Sequence, residues 1–142
     1  MREMDQQERR RFLSEGTRTA KLATVRADGS PHVVPVWFVL DDDGALVFNV
    51  DGGSVKAKAL RRDQRVSLCV DDETPPYAFV LVEGTAEVTY EVEEMLPWAT
   101  RIGARYMGAE AAEAFGRRNA VPGELLVRVR ATRVIARAGI AD

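Results

Sequence analysis

Apolar and polar positions alternate with a period of two over much of the chain, and this alternation predicts strands. "AKLATVRA" (20–27) alternates loosely and ends at "DGS", a turn tripeptide. "HVVPVWFVL" (32–40) is rich in β-branched and aromatic residues and ends at "DDDG" (41–44), a second turn. "ALVFNV" (45–50), "RVSLCVDD" (65–72), "AFVLVEGTAEVTYE" (78–91) and "ELLVRVRATRVIAR" (124–137) complete a set of six strands. Pro35 lies inside the second strand and has no N–H to give a ladder, so it predicts an edge, a bulge or a break. Gly84 predicts a bulge or bend in the long fifth strand.

Helical spacing appears in four places. Residues 4–14 place Met4, Phe12 and Leu13 as apolar anchors, with Gly16 as the stop. Residues 54–63, 92–107 and 109–119 follow, and Pro97 and Gly108 punctuate the last two. Most strands are joined by tight turns, which predicts an antiparallel meander. Closure into a small barrel is the economical way to remove its edges. The expected class is mainly β (α+β), one domain over residues 1–142, a size at which a single core is usual.

Composition changes this picture little. With 46% hydrophobic and 30% charged residues the chain reads as soluble and globular. A net charge of -2 argues against a nucleic-acid partner, which needs a basic face. The charged N-terminus has no apolar signal region, and "VVPVWFVL" is too short to span a bilayer, so a cytoplasmic protein without membrane contact is expected. The single cysteine, Cys69, supports neither a disulfide nor a cysteine metal site and reads as a small core residue.

Much familiar chemistry is missing. His32 is the only histidine, so it offers no metal cluster and no triad base, and it reads as a strand-end side chain. The carboxylate groups "DDDG" and "DDET" read as solvated turns. Neither a Walker loop nor a GxGxxG fingerprint occurs.

"GGSVKAKALRRD" (52–63) is the segment with chemical content. On a helical wheel started at Ser54, Ala57, Lys58, Arg61 and Arg62 fall on the same side as the serine, a side suited to solvent. Ala59, Lys56 and Leu60 fall on the other, so Lys56 shares the apolar side. A lysine there must snorkel out or meet an anion. Ser54 is a good N-cap, and Gly52 and Gly53 allow close backbone approach. Two readings stand: a phosphate site built from Ser54, Lys56 and the helix amides, or a capped basic helix wetting the surface. In "PVWF" (35–38), Trp37 and Phe38 point to opposite faces, and Pro35 would leave backbone groups free beside them. Aromatics in such a strand are commonly core.

The ordered set "LATV…DGSPHVVPVWF…SVKAKALRRD…VEGTAEV" resembles the pyridoxamine-5'-phosphate-oxidase-like family. Within it, the chain is most similar to the short actinobacterial flavin/deazaflavin oxidoreductases that use coenzyme F420. Residues 16–90 carry the resemblance; the C-terminal helices, with "RYMG" (105–108), carry it less tightly. It implies an FMN-binding-type split β-barrel and a homodimer with cofactor sites between subunits. It implies that Ser54 and Lys56 hold the cofactor phosphate, flanked by Val50 and Val55. The backbone of Pro35, Val36 and Trp37 would line the ring, and Lys58 and Arg61 would attract the acidic tail of F420. Tyr77 or Phe79 would come from the partner subunit. Positions 32–40 hold no Arg or Lys for a second phosphate clamp, and the chain ends at "ARAGIAD" without the longer substrate-binding tail. Vitamin B6 oxidation is therefore not expected. The expected activity is hydride transfer from reduced F420 to a small conjugated or electron-poor substrate. FMN is the alternative cofactor, and a non-catalytic F420- or haem-binding protein, with His32 as haem ligand, is the alternative role.

Overall fold

The computed structural model describes residues Met1–Asp142. Eight antiparallel strands form one sheet, and four α-helices pack around it. The chain runs β1 (Arg2–Glu3), α1 (Gln6–Ser14), β2 (Ala20–Val25), β3 (Pro31–Val36), β4 (Val39–Leu40), β5 (Leu46–Val50) and α2 (Val55–Arg62). It continues through β6 (Arg65–Asp72), β7 (Ala78–Thr89), α3 (Val92–Met107), a short 3-10 turn, α4 (Ala112–Asn119) and β8 (Leu125–Ala138). The spatial order is β3-β2-β6-β7-β8-β5-β4, with β1 added beside β8.

That order explains the shape. β3 and β4 stand at opposite ends of the sheet, yet only Trp37 and Phe38 separate them in the chain. The sheet must therefore curl until its ends meet, which gives the barrel expected from the meander, of the split type that the resemblance implies. The expected strand 32–40 is in fact two strands on either side of this crossing. The count rises from six to eight through that division and through β1, which is too short to carry a periodicity. The break falls at Trp37–Phe38 and not at Pro35, which stays in the β2–β3 ladder opposite Lys21. β3 bonds to β2 alone, so the missing N–H of Pro35 costs no ladder bond on its free side.

The barrel interior is filled by one apolar cluster that includes Leu22, Phe38, Phe48, Leu60, Leu68, Val80 and Val127. A second cluster lies outside the sheet, where Met95, Ala99 and Ile102 of α3 cover Val39, Val47 and Leu126. β5 is thus buried on both faces, which is why "LVF" shows no alternation.

Several local expectations change. Cys69 alternates with buried Leu68 and Val70, is only half-buried, and lies outside the core clusters. Ala57, placed on the wet side of the wheel, is fully buried with Ala59 and Leu60, because α2 sinks far enough onto the barrel to enclose a methyl-sized flank. Pro97 lies within α3, and the helix runs on to Gly108, whose φ of 94° ends it. Gly84 does mark a bulge: the β7–β8 register shifts between Glu83 and Gly84, and a Cβ there would strike the Arg130 carbonyl. No helix is long and apolar enough to cross a membrane.

Candidate functional site

The start of α2 is built by short-range bonds. Ser54 is extended (φ -76°, ψ 162°), and its hydroxyl oxygen accepts from Ala57 N–H at 3.2 Å while donating to Asp51 O at 2.7 Å. Asp51 Oδ1 accepts from Gly53 N–H at 3.0 Å. Gly52 presses on the 121–124 loop so closely that a Cβ would run into the Gly123 carbonyl. Arg61 reaches back along the helix and donates to Gly52 O at 2.9 Å. The two glycines are therefore held from three sides.

The open end of this helix keeps its donors. Once Ser54 has capped Ala57, the amides of Val55 and Lys56 have no bond within the chain. Of the four cations on α2, Arg61 and Arg62 are tied to the carbonyls of Gly52 and Val25, whereas Lys56 and Lys58 have no partner. Lys58 is exposed and Lys56 is half-buried. Val55 is exposed, while Val50, just before the loop, is buried in the barrel, so its side chain belongs to the core.

Two acids temper this positive end. Asp51 and Glu124 line an open cleft of about 410 Å3 together with Gly52, Gly53 and Arg61. Glu124 Oε2 is enclosed without a partner. Burial, and then the charge of Asp51, push the Glu124 carboxyl up, while the Gly52 amide and Lys56 pull it back. Glu124 was invisible as a site residue in the sequence, where it reads as the polar start of the last strand.

The second group lies at the β3–β4 crossing. Pro35 is exposed, Val36 is buried opposite Ala20, and Trp37 is partly exposed. The Trp37 ring stacks on Tyr106 of α3, with centroids 5.0 Å apart and planes within 4°, and it meets Phe115 of α4 at 6.1 Å. The Tyr106 hydroxyl accepts from Phe38 N–H at 3.2 Å and donates to Arg18 O at 2.7 Å. Arg105 donates to Phe38 O, Leu13 O and Gly16 O at 2.8–3.0 Å. These bonds pin Phe38 and leave the amide and carbonyl of Trp37 without a partner in the chain. Arg105 and Tyr106 were visible in the sequence only as "RY" of "RYMG". No hydrogen bond or ion pair joins this crossing to the α2 start.

Three further residues have clear positions. Tyr77 is exposed on a turn with φ 67°, and Phe79 is half-buried on β7. His32 faces Thr24 across the β2–β3 ladder, and both His32 Nδ1 and Thr24 Oγ1 are enclosed without partners.

A curled antiparallel barrel with an open, glycine-led helix start agrees with a family model described as pyridoxamine 5'-phosphate oxidase, which matches residues 6–138. The chain belongs to the pyridoxamine 5'-phosphate oxidase family. The F420H(2)-dependent biliverdin reductase of Mycobacterium tuberculosis (strain CDC 1551 / Oshkosh) is 34% identical over 95 residues, 67% of each chain. Among solved structures, a conserved hypothetical protein of Mycobacterium tuberculosis superposes with a TM-score of 0.83 at 30% identity, over 96% of this chain and 86% of that one. An F420 reductase superposes at 0.68 and 26% identity, over 87% and 94%. Within the pyridoxamine 5'-phosphate oxidase family, then, this chain is similar to proteins named for F420.

Proposed function

We propose that this protein is an F420-dependent reductase acting on a small conjugated or electron-poor molecule. One observation carries the reading: a half-buried, unpaired Lys56 stands beside two free amides at the capped start of α2. Those groups fit a phosphate, because a helix N-terminus and an ammonium both favour an anion and the donors need acceptors. Ser54, Val55 and Lys56 would hold the phosphate, with Lys58 near enough in the chain to meet an acidic tail. Arg61, bonded to Gly52, would stiffen the loop. At the crossing, the unpartnered backbone of Trp37 would orient a flat ring, with Pro35 and Val36 beside it. When bound, reduced F420 supplies a hydride, and the protein contributes binding, orientation and exclusion of water. FMN carries a phosphate too and is the second cofactor these donors suit.

Lys56→Ala removes a charged hydrogen bond and should weaken F420 binding about tenfold or more. Fluorescence titration checks this, and unchanged affinity would sink the assignment. Parallel titrations with F420, FMN and haem separate the readings. Binding of F420 alone supports the reductase, and FMN or haem binding without F420 replaces it.

A further inference from the structure

The helix α1, "QQERRRFLS", places Gln6, Arg9, Arg10 and Leu13 at i, i+3, i+4 and i+7, the spacing of one helix face. Such a face is normally apolar where it meets a core. Here three of its four residues are polar, and all four line a cavity of about 330 Å3. Leu40, Leu46, Val82, Val129 and Val134 also line it and supply its apolar part. The cavity lies where α1 meets the β4–β5 turn, at the opposite end of β5 from Val50 and the α2 start.

Its charged lining is almost wholly committed. Arg10 donates to the carbonyls of Asp42 (2.8 Å) and Asp41 (3.2 Å). Arg128 Nε lies 2.9 Å from Asp41 Oδ2, an ion pair without hydrogen-bond geometry that leaves this enclosed nitrogen without a hydrogen-bond partner, and Arg130 pairs with Glu87 at 2.6 Å. Asp43 is exposed. Arg9 is different. It is half-buried, and its guanidinium has neither a hydrogen bond nor an ion pair in the chain, its backbone amide alone being engaged. The residue is half-buried while its guanidinium keeps every donor free and in reach of solvent, and its fork matches a carboxylate. Four arginines against three carboxylates also leave the lining one positive charge in excess.

We propose that this cavity is a second binding site, distinct from the α2 start, for a small carboxylic acid with an aliphatic body. The carboxylate pairs with Arg9, and the body covers Leu40, Leu46, Val82 and Val134. A water's share of liquid volume is about 30 Å3, so the space suits a ligand of roughly ten heavy atoms. Mouths of barrels are common places for such sites.

Octanoate is the probe, titrated calorimetrically into the full chain with and without F420. Saturable one-to-one binding is expected, at least tenfold tighter than octan-1-ol or octylammonium. Arg9→Gln should weaken it about tenfold and leave F420 affinity unchanged. Ala131→Phe, which fills the cavity from an exposed position, should abolish it, with circular dichroism checking that both variants fold. The proposal fails if octanoate does not saturate, if octylammonium binds as well, if Arg9→Gln has no effect, or if octanoate competes with F420. Loss of F420 binding in Lys56→Ala, with octanoate binding intact, separates this site from the cofactor reading.

Discussion

Glu124 shows how one residue can oppose the site beside it. Its carboxyl is pushed above the ordinary 4.5, first by burial and then by Asp51. The folded chain thus holds this proton more tightly than the unfolded chain. The resulting stability is fully present below pH 4.5 and is lost as the pH rises through the raised value. In its charged form the group has one oxygen enclosed and unpaired. Glu124→Gln keeps the shape and removes the charge. We expect its melting temperature at pH 7 to exceed that of the parent by about 2 °C. The gap should close as pH falls below 4.5, as melts across that range would record. The same substitution removes a negative charge that acts on Lys56 and should tighten phosphate or F420 binding roughly threefold. A variant less stable than the parent at pH 7 would show that the carboxylate is paired after all.

At the scale of elements, the strands were legible where one face was buried and one wet. β2, β6 and most of β7 alternate, and their positions follow from it. Gly84 was legible because a bulge and a close backbone approach both demand glycine there. The crossing at Trp37–Phe38 was not. Val36, Phe38, Val39 and Leu40 are all buried, so the apolar run continues while the chain changes its partner strand. The bonds that hold the crossing come from α3, 67 and 68 residues away. In the candidate site, Ser54 as cap could be read from local spacing, whereas Glu124 comes from a loop that only folding brings to Gly52. Arg105 is the residue that ties α3 to both the end of α1 and the crossing. Its guanidinium serves three carbonyls on two segments, Leu13 and Gly16 at the end of α1 and Phe38 at the crossing, and lies over the Phe38 ring at 4.6 Å. A lysine has one ammonium and cannot span them. Arg105→Lys should therefore cost roughly 2–3 kcal/mol, read as a lower urea midpoint at unchanged slope. If the lysine variant matches the parent, the three carbonyls are satisfied without the fork.

For the whole molecule, the question is what covers the free side of β3. Its residues alternate, and Pro31, Val33 and Pro35 form the exposed set, with Val33 63% exposed and Trp37 next to it 37% exposed. An exposed edge strand normally invites another strand. Pro31 and Pro35 have no N–H, so this edge is poorly suited to ladder pairing but still offers an apolar face. We propose that a second copy of the chain covers that face, and that Tyr77 or Phe79 of the partner subunit then completes the cofactor site. The isolated chain weighs 15.7 kDa, so light scattering should return about twice that mass. Val33→Glu would place a carboxylate at the centre of the face and should shift the protein to monomer. Because Val33 is so exposed in the single chain, the fold itself should survive, with a melting temperature within a few degrees of the parent. F420 affinity should fall in that variant even though Lys56 is intact. Tyr77→Ala separates the two effects: it should preserve the dimer and lower F420 affinity if this tyrosine crosses the interface. A monomeric parent that binds F420 as tightly as any dimeric form would mean that one chain holds the whole site.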